Sequence, residues 1–109
     1  MAASQAQGET VSDAQIAAAF DRWVIAPTAA LVTAFRARHP AVPVIGFPKG
    51  AGAKLVPYAI ETGVDCVGLD ETVDPDWADA ALPEGLPVQG NLDPLALVAG
   101  GEAMTQAVT

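Results

Sequence analysis

The residues best equipped for chemistry in this sequence recur about twenty residues apart: Lys49, Asp70 and Asn91. Lys49 lies in Gly46-Phe47-Pro48-Lys49-Gly50-Ala51-Gly52, a glycine-rich stretch between an apolar run and a helical pattern. Such a loop can turn backbone N–H groups toward an anion. It can equally be a tight turn that needs the permissive dihedrals of glycine. It is not a nucleotide-triphosphate loop, because no Gly-Lys-Ser/Thr closes it, nor a dinucleotide fingerprint, because Leu55 stands where the third glycine belongs.

Asp70 and Glu71 are adjacent carboxylates, and adjacent side chains do not aim at one point, so they make no acid–base dyad. Asp70 alone is a candidate at a strand end, with loop capping as the competing reading. Asp74 and Asp93 each precede a proline and read as helix caps. His39 ends a helix before Pro40, where a cation-capable ring is favourable without any further role. Cys66 lies in an apolar run and reads as a small buried hydrophobe. One histidine and one cysteine assemble neither a nucleophile–base pair nor a transition-metal site, so no catalytic residue, metal or cofactor is assigned.

The elements that must position these residues alternate. Met1 to Val11 reads as a loose leader. Ser12 is a helix N-cap with Gln15 at the third helical position, a capping box. Ile16, Phe20 and Val24 then recur at a spacing of four and predict one buried face. Pro27 interrupts the pattern, and Thr28 to Arg38 resumes it until His39-Pro40. Val42 to Phe47, Asp65 to Leu69 and Leu86 to Asn91 are short apolar runs without clean alternation, as in strands buried on both faces of a parallel sheet. Between them lie helices through Leu55, Tyr58, Ala59 and Thr62, and through Asp74 to Leu82. Asp93-Pro94 opens another, which Gly100-Gly101 breaks before a last helical stretch.

Three strand-then-helix units predict parallel strands joined by crossover helices. Lys49, Asp70 and Asn91 each follow a strand, at the carboxyl edge where α/β folds carry their sites. Three strands bury two sheet faces poorly, so the sequence reads as an interior slice of a larger α/β domain.

Composition narrows the partners. The chain has 109 residues, 51% of them hydrophobic and 17% charged, which excludes a disordered chain. No run of about 18 apolar residues occurs, so no spanning helix is expected. Five basic residues against thirteen acidic ones leave a net charge of −8, which disfavours nucleic acid and anionic membrane surfaces as partners. The amino end lacks a signal-peptide layout, and a cytoplasmic protein is the simplest fit.

Taken together, Pro43-Val44-Ile45-Gly46-Phe47-Pro48-Lys49-Gly50-Ala51-Gly52, Glu61-Thr62-Gly63-Val64-Asp65, Val67-Gly68-Leu69-Asp70 and Gln89-Gly90-Asn91-Leu92-Asp93-Pro94 resemble the uroporphyrinogen decarboxylase family in order and spacing. Arg22 to Thr28 also resembles the helix before that family's glycine-rich loop, and the likeness runs from about Ser12 to the carboxyl end. Glu71 departs from it, since a tryptophan often follows Leu-Asp there.

The resemblance implies a (β/α)8 barrel that converts uroporphyrinogen III to coproporphyrinogen III without a cofactor, its protonated pyrrole acting as electron sink. An aspartate holding the pyrrole N–H groups and arginines receiving carboxylates belong to motifs not found here. Phe20-Asp21-Arg22-Trp23 is not the family's Phe-Asp-Ser/Thr-Trp motif, because the matching helix already begins at Arg22.

Residues 12–109 are therefore expected to be part of such a barrel: about three consecutive parallel βα units after one helix, recorded as a fragment and inactive alone. Lys49, Asp70 and Asn91 are its candidates for substrate contact. The family forms homodimers, and a fragment with open edges is expected to self-associate. The rival readings are a corrinoid-linked methyltransferase of the same superfamily, against which stands the lack of His-x-Cys, and a non-catalytic α/β module binding a small anion at Lys49 to Gly52.

Overall fold

The computed structural model describes residues 10–109, so most of the leader expected over Met1 to Val11 lies outside the described residues. The first helix, α1, runs over Asp13–Arg38. Its start is the capping box read from the sequence: the Gln15 amide donates to Ser12 Oγ at 3.1 Å, and the Ser12 amide donates to Gln15 Oε1 at 2.8 Å.

Pro27 does not divide α1, contrary to expectation. The turn over Asp21–Ile25 is π-helical, with the Ala26 amide reaching back to the Asp21 carbonyl. Pro27 follows directly, so the widened turn takes up the carbonyl that its ring would strike and the N–H that it lacks. The added residue also rotates the buried face. Ile16 is 43% exposed and Phe20 and Val24 are only partly covered, while Ile25 and Val32 enter the core. The uninterrupted helix is, by length and composition, apolar enough to cross a membrane, which corrects the expectation drawn from the lack of one apolar run. Asp21 and Arg22 stand near its middle.

Three βα units follow: β1 (Ile45–Gly46), a 3₁₀ turn (Gly52–Lys54) and α2 (Leu55–Glu61); β2 (Cys66–Gly68) and α3 (Pro75–Ala81); β3 (Val88–Gln89) and α4 (Pro94–Ala99), with α5 (Gly101–Val108) last. Asp74 and Asp93 cap α3 and α4 as read, each carboxylate accepting an amide at 2.9 Å. The strands are parallel and adjacent in chain order, β1-β2-β3, pairing Gly46 with Val67 and Val67 with Val88.

The sheet is not buried on both faces. A Cβ on Gly46 would come within 2.6 Å of Tyr58 Oη, so Gly46, Val67 and Val88 point toward the helices. Val67 is fully buried there, with Leu55, Tyr58, Val64 and Ala78 around it. Ile45 points to the other face and is 52% exposed. Cys66 shares that face and is half-buried rather than buried. The helices thus cover one face of a three-stranded sheet. The radius of gyration, 17.1 Å, exceeds the roughly 13 Å of a closed domain of this length.

Candidate functional site

Lys49, Asp70 and Asn91 each stand three residues past a mutually registered position, Gly46, Val67 and Val88, so the structure brings all three to the carboxyl edge of the sheet. What holds them there differs. Asp70 is 7% exposed, and both its oxygens are committed. Oδ2 accepts the Gly50 amide at 2.7 Å, and Oδ1 accepts the Thr72 amide at 2.9 Å and the Thr72 hydroxyl. The carboxylate therefore ties the glycine-rich loop after β1 to the turn after β2.

Asn91 ties the third loop to the second. Its Nδ2 donates to the Asp70 carbonyl at 2.8 Å and to the Val73 carbonyl at 2.7 Å, which uses both amide hydrogens. Gly90 lets the chain come this close: a Cβ there would overlap the Leu69 carbonyl, and its φ of +111° disfavours any side chain. Lys49 is exposed and makes no ion pair among the described residues.

The electrostatics agree with this division. The Thr72 hydroxyl, then the Gly50 and Thr72 amides, hold the Asp70 carboxyl below the usual carboxylate range, and Lys49 adds a weaker pull. A carboxylate held ionised while accepting three hydrogen bonds is a poor general acid or base. The loop-capping reading of Asp70 is the one its contacts support. The glycine-rich loop spends the Gly50 amide on Asp70 and the Ala51 amide on the Pro48 carbonyl, so these two donors are turned to holding the loop.

Glu71 is exposed and outside this network, and His39 stacks on Phe35 with ring centroids 5.0 Å apart at the end of α1. Among the described residues, no group of His, Cys, Asp or Glu gathers in a metal-binding cluster. Sequence reading missed Thr72 and Gly90. The Asp-x-Thr spacing is a signal for the first, since such a pair closes a local turn. The second carries no signal short of knowing the register.

The family model described as uroporphyrinogen decarboxylase (URO-D) matches residues 8–109. The chain belongs to the uroporphyrinogen decarboxylase family. The uroporphyrinogen decarboxylase of Rhizorhabdus wittichii is 76% identical over 89 residues, 82% of this chain and 26% of that protein. The uroporphyrinogen decarboxylase of Sphingopyxis alaskensis is 70% identical over 91 residues, 84% of this chain and 27% of its own length. That of Erythrobacter litoralis is 62% identical over 87 residues, covering 80% and 26%. The chain thus spans about a quarter of the length of the curated relatives it matches. No solved structure gives a significant match. In this member of the family Asp70 and Asn91 are turned to holding the loops after the strands, and Lys49 stands outside that network.

Proposed function

We propose that this chain is a segment of a uroporphyrinogen decarboxylase, a carboxy-lyase that removes acetate carboxyls from uroporphyrinogen III to yield coproporphyrinogen III. The observation that carries this reading is the 76% identity over 89 residues to a curated decarboxylase. In this reading the three βα units are consecutive units of a (β/α)8 barrel, whose sites gather at the carboxyl edge of the strands. Lys49 is the strand-end side chain left to meet a substrate carboxylate, while Asp70 and Asn91 fix the loops around it. Helix α1 lies on the outside of that barrel, not in a membrane, and the working compartment is the cytoplasm. The chain alone, with its open strand edges, self-associates and is inactive, because the acids and cations that handle the substrate in the family belong to motifs it does not contain.

The test is a chimera in which residues 12–109 replace the matching stretch of the Rhizorhabdus wittichii enzyme. Conversion of uroporphyrinogen is followed by product chromatography. The chimera is expected to turn over and the isolated chain is not. A folded chimera that leaves uroporphyrinogen untouched would overturn the reading, and so would full turnover by the isolated chain.

A further inference from the structure

The glycine-rich loop after β1 is built around one tight turn. The Ala51 amide donates to the Pro48 carbonyl at 3.2 Å, so Lys49 and Gly50 are its two central residues. Gly50 has a φ of +77° and Lys49 does not have a positive φ, which is the type II form. The type I form closes with the same Pro48–Ala51 bond and differs by turning over the peptide between Lys49 and Gly50. Glycine adopts either sign of φ about as readily, and a side chain at Gly50 would meet open space. Neither the residue nor its packing therefore selects the form. Asp70 does: its Oδ2 accepts the Gly50 amide at 2.7 Å. In the turned-over form the Lys49 carbonyl would face that carboxylate in place of the N–H.

We propose that Asp70 and Thr72 are a positioning pair for Lys49, holding the Pro48-to-Ala51 turn in the form that presents the Lys49 ammonium to a carboxylate of the substrate.

Three observations converge on that role. First, the other bonds of the turn are local, Ala51 to Pro48 and Lys54 to Ala51. The Gly50–Asp70 bond is what ties the turn to the unit of β2. Second, Thr72 grips the carboxylate from its far side. The Thr72 amide, at 2.9 Å, and the Thr72 hydroxyl both donate to Oδ1, which fixes the carboxylate plane and leaves Oδ2 to face the turn.

Third, Lys49 lies near enough to Asp70 to attract it, but the two form no ion pair. The carboxylate is occupied by N–H and O–H donors, so the exposed ammonium of Lys49 keeps its hydrogen bonds for another partner. A substrate bearing several carboxylates offers a charge-assisted one. Asp70 itself is 7% exposed and acts through the turn, not on the substrate. The inference rests on the reading of Lys49 as a substrate contact and adds how its place is set.

The test is steady-state kinetics with uroporphyrinogen on the chimera that carries residues 12–109. Lys49→Met should raise KM about tenfold at unchanged kcat, the loss of one charge-assisted hydrogen bond. Asp70→Asn sets an amide NH2 against either the Gly50 or the Thr72 amide and should raise KM about fivefold, again with kcat held. Thr72→Val removes only the hydroxyl and should raise KM about twofold, and Thr72→Ser should restore it. Asp65→Asn, at the other end of β2, should leave KM unchanged. In a Lys49→Met background, Asp70→Asn and Thr72→Val should add nothing, because both act through the missing ammonium.

Thr72→Val keeps the inference testable should Asp70→Asn fail to fold. A rise in KM at Lys49→Met with none at Asp70→Asn or Thr72→Val would overturn the positioning role and spare the reading of Lys49. A further rise in the double variants would also overturn it, marking a general loosening of the site. An unchanged KM at Lys49→Met would overturn the reading of Lys49 and this inference with it. The decarboxylase assignment stands apart from all three, since it rests on turnover by the unsubstituted chimera.

Discussion

Strand β2 ends in an aspartate on both sides, and the two perform the same operation with different partners. Before the strand, Asp65 Oδ2 accepts the Val44 amide at 2.8 Å, tying β2 to the segment that enters β1. After it, Asp70 Oδ2 accepts the Gly50 amide at 2.7 Å, tying β2 to the segment that leaves β1. The resemblance stops there. Asp65 shares that one oxygen with Arg36 Nη2 at 2.8 Å, its side chain is 48% exposed, and water can replace either bond. Asp70 uses both oxygens on protein donors and sits beneath the Asn91 bridge to a third loop. One end is a surface clasp. The other is a part-buried polar network, where losing one partner disturbs bonds to three loops at once.

That difference predicts a gradient of effects, measurable by urea unfolding of the chain. The largest belongs to Gly90, where a side chain would meet backbone that cannot give way. Gly90→Ala combines left-handed strain with overlap on the Leu69 carbonyl and should cost on the order of 3 kcal/mol. A loss below that of Arg36→Ala would mean that the third loop is not held against β2.

Next comes the network. Asp70→Ala leaves the Gly50 and Thr72 amides without their acceptor, for a loss of roughly 1–3 kcal/mol. Asn91→Ala takes the donor from the Val73 carbonyl, while the Asp70 carbonyl keeps the Val73 amide, and it should lose less, since a carbonyl is easier to satisfy with water. Combining the two should cost less than the sum of the single losses, because both act on one loop junction.

Acid separates the ends by another route. Both carboxyls are held below their ordinary range, Asp70 first by the Thr72 hydroxyl and Asp65 first by the Val44 amide. A lowered folded-state value means that the stabilisation is present above the unfolded carboxyl range, near pH 4, and disappears as pH falls through the folded value. The urea midpoint should therefore be flat from neutrality to about pH 5 and fall below it. Asp70→Asn should flatten that acid limb more than Asp65→Asn does.

How much of this was legible depended on how local the cause was. The caps at Ser12, Asp74 and Asp93, the parallel order of the strands and the shared edge of Lys49, Asp70 and Asn91 follow from short-range spacing and the strand–helix rhythm, and the structure has them all. The burial of the strands was misjudged. An apolar run such as Val42 to Phe47 signals a strand that wants two covered faces, but the covering elements must be present, and here the helices cover one face and leave Ile45 exposed on the other. The local rule for Pro27 predicts a break, whereas the π turn directly before it absorbs the ring and keeps the helix whole, a compensation no local pattern announces. The structural use of Asp70 is not decided by local sequence, since it rests on a donor twenty residues earlier in the chain.

The smallest effect is expected at the clasp, and it is the most discriminating. Arg36 donates to the Gly63 carbonyl at 2.8 Å and to Asp65, pinning the turn before β2 to the last turns of α1. Two partners make this more than a single ion pair, but the side chains are 36% and 48% exposed, so attraction is screened by water and salt. Arg36→Ala should cost less than about 1 kcal/mol, and most of that loss should vanish in 1 M salt, where the Debye length falls to about 3 Å. Arg36→Lys keeps the charge but cannot span the Gly63 carbonyl and Asp65 as the guanidinium fork does, so it should recover only part of the loss. The losses from Asp70→Ala and Asn91→Ala should persist at the same salt, because the part-buried bonds behind them run to amides, a hydroxyl and carbonyls rather than to an opposite charge. Equal salt dependence at Arg36 and Asp70 would erase the distinction between the two ends of β2. A salt-independent cost above 2 kcal/mol at Arg36 would invert it, making the amino edge the place where the sheet is locked.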